Sequence, residues 1–166
     1  MHREGVFVKK KFLLAAILAG STLASPVFAK NITVDFSLPE FNTQDYNKPY
    51  VAIWAETKEK NDTLLLWHLT KRKQDKWLVD IRRWWRKVGR YGDMPADAVT
   101  GATKGPGKYN VTLDIGDLEK FTLMIEVVRE DGGRSLLRQA IDTDKSQKYT
   151  LKADAEIGNV TINLGK

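Results

Sequence analysis

The chain has 166 residues, a formal charge of +6 and no cysteine, which excludes thiol catalysis, thiolate metal sites, iron–sulfur clusters and disulfides. Of its two histidines only His68 lies beyond the N-terminal leader, so a multi-histidine metal site is excluded and no metal-binding residues are expected. A hydrolase could use one histidine, but no G-x-S-x-G elbow is present.

Residues 1–29 read as a secretory signal peptide. Met1–Lys11 is basic, Phe12–Gly20 is apolar, and Val27-Phe28-Ala29 places small or apolar residues at the −3 and −1 positions of a cut after Ala29. The apolar run is too short to span a bilayer, and no cysteine follows that could carry a lipid. The expected product is exported, periplasmic or otherwise extracytoplasmic, with no integral membrane segment. From Lys30 onward there are 23 basic and 20 acidic residues, a balance too mild to argue for nucleic acid. Residues 30–166 have the length of a single domain.

Asn31–Leu38 alternates, with Ile32, Val34, Phe36 and Leu38 on one side. Tyr50–Thr57 and Thr63–Thr70 are strand-like and joined by the polar turn Lys58–Asp62. Asp75–Arg90 breaks the series: Leu78, Ile81, Trp85 and Val88 recur at helical intervals, while Arg82, Arg83, Arg86, Lys87 and Arg90 take the other side. A loop, Tyr91–Lys108, follows and contains Asp97-Ala98-Val99-Thr100-Gly101-Ala102-Thr103. A glycine- and proline-containing loop of this length inside one domain points to function. Tyr109–Ile115, Phe121–Arg129, Ser135–Asp142, Tyr149–Ala155 and Asn159–Leu164 complete the strands, and Asp131-Gly132-Gly133 is the strongest hairpin signal, its glycines suited to positive φ. The pattern predicts an all-β, immunoglobulin-like antiparallel β-sandwich with one inserted amphipathic helix.

Several of these pieces together carry a resemblance. Pro49–Trp54, Leu66-Trp67-His68, Ile81–Arg86, Asp97–Thr103 and Glu126–Glu130 resemble a bacterial family of predicted periplasmic proteins, known as a domain of unknown function, across most of the chain after the leader. The resemblance implies a compartment and a small sandwich, and no activity. A hairpin of that family is reduced here to Leu113-Asp114-Ile115-Gly116, and its acidic-His-Gly turn reads Glu130-Asp131-Gly132.

A second resemblance is local. Asp97, Thr100, Gly101, Ala102 and Thr103 match D-x-x-(S/T)-(G/A/S)-A-T, which is similar to the acceptor signal of ApbE-type flavin transferases. It implies FMN attached covalently through the Thr103 hydroxyl, with Gly101 and Ala102 keeping the approach narrow and Asp97 anchoring the loop or lying near the transferase's magnesium. Lys104, Lys108 and the arginine face, Arg83 and Arg86 among it, could compensate the phosphodiester charge. The function so implied is a periplasmic electron-transfer protein serving a membrane-linked redox partner, a carrier more than a stand-alone enzyme. The alternative is a non-enzymatic binding or assembly module that uses the Arg/Trp helix and the motif loop to dock protein.

The same residues also admit plainer roles. Trp84 and Trp85 could stack on an isoalloxazine or pack the helix on the sandwich. His68, beside a core-type Trp67, is expected on a solvated strand face. The basic residues could form a solvated face, meet an acidic partner or an anionic membrane, or hold the flavin phosphate. The motif could be a turn capped by Asp97 and Thr100 with Gly101 at positive φ.

Overall fold

In β1 (Lys30–Leu38), every second side chain from Ile32 to Leu38 is buried, as the alternation requires. This computed structural model describes residues 30–69, 72–91, 99–145 and 147–165; the leader and Asp97 lie outside the described residues. The further strands are β2 (Tyr50–Glu56), β3 (Asn61–His68), β4 (Thr100–Ala102), β5 (Gly107–Gly116), β6 (Lys120–Val128), β7 (Arg134–Asp142), β8 (Lys148–Leu151) and β9 (Val160–Leu164). They form two sheets, of order β5-β1-β9-β8 and β4-β3-β2-β6-β7. The immunoglobulin-like sandwich expected of the sequence is therefore present. Its main core lies between the inner faces, with Ile32, Val34 and Phe36 from one sheet meeting Ile53, Leu123 and Ile125 from the other.

One strand pair departs from the antiparallel rule. β4 runs parallel to β3, with Leu66 opposite Thr100, Trp67 opposite Gly101 and His68 opposite Ala102. Parallel neighbours need a long crossover, usually helical, and residues between β3 and β4 supply it. Thr100–Ala102, which the sequence places in a loop, thus form a short edge strand.

The crossover is helical but not the regular amphipathic helix expected. It comprises a 3-10 stretch, Arg72–Asp80, then one α-helical turn, α1 (Arg82–Trp84), then a π-helical turn, Trp85–Gly89. Leu78 in the 3-10 stretch, Ile81 at the junction and Trp84 in α1 follow at intervals of three, and all three are buried. Trp85 and Val88, assigned to the apolar side by α-helical spacing, are only partly buried. The change of helical period is the physical reason.

This segment covers the outer face of the larger sheet. Leu78, Ile81 and Trp84 pack against Tyr50, Ala52, Trp54, Leu66 and Met124 in a second apolar cluster. β2 is consequently buried on both faces almost throughout. His68 alternates with core-facing Trp67 and takes the covered face; it is 9% exposed, not solvated as the sequence suggests. The β6–β7 turn holds a further correction. Asp131 has the positive φ of 53°, whereas Gly132 and Gly133 do not. Gly133 instead makes room for a buried pair: its N–H donates to Glu156 Oε1 at 2.6 Å, while Arg129 grips the same carboxylate through two 3.0 Å bonds.

Candidate functional site

Two segments carry the distinctive residues, and the fold treats them differently. At the crossover, Glu126 is fully buried in the middle of β6. It accepts the backbone N–H of Arg83 at 3.0 Å and of Trp84 at 2.9 Å, and the Arg134 guanidinium at 2.6 Å. Helix starts leave N–H groups without partners, and α1 has no side-chain cap of its own. A carboxylate from another strand fills that role, where the helix dipole also favours negative charge.

Arg83 makes a two-pronged contact with Glu56, Nε to Oε1 at 3.0 Å and Nη2 to Oε2 at 2.7 Å, and Trp54 Nε1 donates to the same carboxylate at 3.0 Å. Burial pushes the Glu56 carboxyl up, but the Arg83 and Trp54 hydrogen bonds and the nearby Arg83 and Lys87 charges outweigh it and hold it below the ordinary value. Trp84 is fully buried, and its Nε1 donates to Thr63 Oγ1 at 2.9 Å. Trp84 therefore packs the crossover onto the sheet and is not open for ring stacking. Arg82, Arg86, Lys87 and Arg90 remain exposed.

The motif strand sits elsewhere. Leu66 N–H donates to Val99 O at 2.7 Å, and Thr103 N–H donates to His68 O at 3.2 Å, so pairing to β3 extends beyond β4 at both ends. Thr103 is half-buried, and none of the hydrogen bonds among the described residues uses its hydroxyl. Lys104 Nζ lies 4.6 Å from the Trp67 ring centroid and 5.5 Å from that of Tyr109, whose hydroxyl donates to Gly105 O at 2.6 Å. Beneath them Trp67, Tyr109 and Phe36 form an aromatic cluster with centroids 5.1–5.7 Å apart.

Gly101 does not have positive φ, so the capped-turn role considered for it does not hold. A Cβ at Gly101 would meet its nearest neighbour, Trp67 Cδ1, at 3.4 Å, which is ordinary contact. At Gly89 the outcome is opposite: a Cβ would lie 2.6 Å from Trp84 and 2.7 Å from Trp85. The fold requires glycine at Gly89 and merely accepts it at Gly101.

The structure brings together Thr100, Gly101, Ala102, Thr103 and Lys104 at the His68 end of β3. Arg83 and Arg86 line a depression with Asn61, at the other end of that strand, roughly 20 Å away at ~3.3 Å per residue. Arg83 and Arg86 thus do not share a site with Thr103.

Residues 31–159 match the model of a family described as Predicted periplasmic protein (DUF2271). The chain belongs to this family. No curated protein and no solved structure matches it. Membership in DUF2271 agrees with the compartment expected from the leader. No helix among the described residues is long and apolar enough to cross a membrane.

Glu56 and Glu126 are the anchors that sequence reasoning missed. A trace of Glu126 was available: a lone carboxylate in Leu123-Met124-Ile125-Glu126-Val127-Val128 is a buried charge in need of partners. Nothing local identifies those partners, because they come from the crossover and from β7.

Proposed function

We propose that this DUF2271 protein is a periplasmic electron carrier bearing FMN on Thr103. The observation that carries the reading is that β4 is built from residues the fold does not call for. Glycine and alanine are poor strand formers, a Cβ at Gly101 would make only ordinary contact with the Trp67 ring, and Ala102 is exposed. Small residues on a sheet edge leave the flank of Thr103 open to a modifying enzyme. The Thr103 backbone is held by its bond to His68 O while its hydroxyl has no competing hydrogen bond among the described residues.

The chemistry balances with FAD as the donor. The Thr103 Oγ1 attacks the FMN-side phosphorus, the pyrophosphate P–O bond breaks, AMP leaves, and the threonine proton passes to a base of the ApbE-type transferase. Positioning and charge neutralisation dominate such transfers, so an anchored acceptor is suited to them. The resulting phosphodiester has one negative charge, and Lys104 is the adjoining cation. FMN would supply the one- and two-electron chemistry; the chain would hold and present it to a membrane-linked redox partner.

The test is co-production with an ApbE-type transferase shown to be active on its own acceptor. The intact mass should rise by one FMN less one water, the protein should be yellow, and Thr103→Ala should lose both. An unmodified wild-type chain under those conditions refutes the proposal.

A further inference from the structure

Arg82–Arg90 contains five cationic residues and no carboxylate. Arg83 is taken up by Glu56, and the buried carboxylate beneath, Glu126, is occupied by two backbone N–H groups and Arg134. Arg82, Arg86, Lys87 and Arg90 have no carboxylate within salt-bridge distance among the described residues, and all four are exposed. Arg86 borders two shallow depressions, one of about 500 Å³ shared with Lys87 and Arg90, the other of about 420 Å³ shared with Arg82 and Trp85.

The large apolar side chains most open to solvent border the same surface. Val79, 45% exposed, lines the second depression, and Tyr91, 70% exposed, lines the first. Arg90 lies over the Tyr91 ring, 4.5 Å from its centroid. These are the exposed large hydrophobic residues among those described, so apolar exposure is concentrated where the unpaired cations are.

From this coincidence we infer that the outer face of the crossover seats the protein on an anionic phospholipid surface. Guanidinium groups match phosphate oxygens in pairs, and several exposed cations meet a plane of headgroups without needing a partner's carboxylates to be placed one by one. Tyrosine and arginine with an aliphatic neighbour are the composition of an interfacial surface, the ring and stem entering the headgroup layer while the charge stays at its level. The site lies at the Asn61 end of β3, away from Thr103, and so does not depend on the flavin reading.

Vesicle flotation of the protein recovered after export tests this, using phosphatidylcholine vesicles with and without phosphatidylglycerol. Binding should require phosphatidylglycerol and fall with added salt. Each cation near an anionic surface contributes about fivefold in partitioning, so Arg86→Glu with Arg90→Glu should reduce it by at least about 25-fold. These positions are exposed, and the melting temperature should stay unchanged. Thr103→Ala should bind vesicles like the wild type, separating this result from flavin attachment. Equal binding to neutral vesicles, no binding to either, or binding that survives both reversals overturns the inference; the second outcome would point to an acidic protein in place of lipid.

Discussion

The R-R-W-W-R stretch of the crossover and the T-G-A-T stretch of the edge strand are equally conspicuous in sequence but differ in what the fold asks of them. In the first, Arg83 is fixed to Glu56, Trp84 is buried and bonded to Thr63, two N–H groups rest on Glu126, and Gly89 is hemmed in by two indole rings. In the second, Gly101 has room for a Cβ, Ala102 is exposed, and the Thr103 hydroxyl has no hydrogen bond among the described residues. A distinctive motif is therefore not a functional motif until the packing has been asked whether it needs those residues. The crossover is accounted for by its contacts, except for its exposed cations. The edge strand is not.

The largest expected effect breaks the better-supported side. Glu126→Ala strands two helix N–H groups and the Arg134 guanidinium around a buried site, and should cost about 3–5 kcal/mol in denaturant unfolding. A loss below about 1 kcal/mol would mean that the crossover is held by its apolar contacts alone. Next comes Glu56→Gln, which keeps the shape but weakens charge-assisted bonds to Arg83 and Trp54, for a loss of about 1–2 kcal/mol at neutral pH. The folded Glu56 has a pKa below its ordinary 4.5, so it binds protons more weakly folded than unfolded. Its contribution is complete above the ordinary carboxylate range and is lost as pH falls through the lowered value. Wild type and Glu56→Gln should thus converge in stability as the pH falls through that lowered value. A gap that stays constant with pH would show that the carboxylate charge is not what matters.

Much of the sandwich was legible because period-two alternation reports burial directly. Ile32 to Leu38 is the clear case, and β5 follows the same logic with Leu113 and Ile115 buried, whereas β6 is buried almost throughout and reads as an apolar run. What escaped was set by tertiary pairing. β4 is strand only because the crossover returns the chain beside Leu66–His68, and Gly101 and Ala102 have too little strand propensity to announce it. Trp84 and Trp85 exchanged roles because a 3-10 stretch hands over to α and then π geometry, which no single periodicity can represent. His68 read as solvated because its strand face is covered by a segment distant in pattern but next in the chain. Of the candidate site, the sequence located Thr103 and Lys104 together but joined them to Arg83 and Arg86, which the length of β3 keeps apart.

The smallest expected effect on stability is the most informative about the edge strand. Ala102 is exposed at the end of β4, where valine has the higher strand propensity and a side chain can extend into solvent. Ala102→Val should therefore change unfolding free energy by no more than about 0.5 kcal/mol, with a gain as acceptable as a loss. If small residues are there to admit a flavin transferase, the same substitution should sharply lower FMN incorporation at Thr103, read by intact mass. A loss of more than about 1 kcal/mol would instead show that Ala102 serves the fold, placing the edge strand on the same footing as the crossover. Full incorporation with unchanged stability would show that neither packing nor access selects alanine, removing the argument that links the open flank of Thr103 to modification. Only an unaltered fold combined with lost incorporation fits a strand kept narrow for another protein's active site.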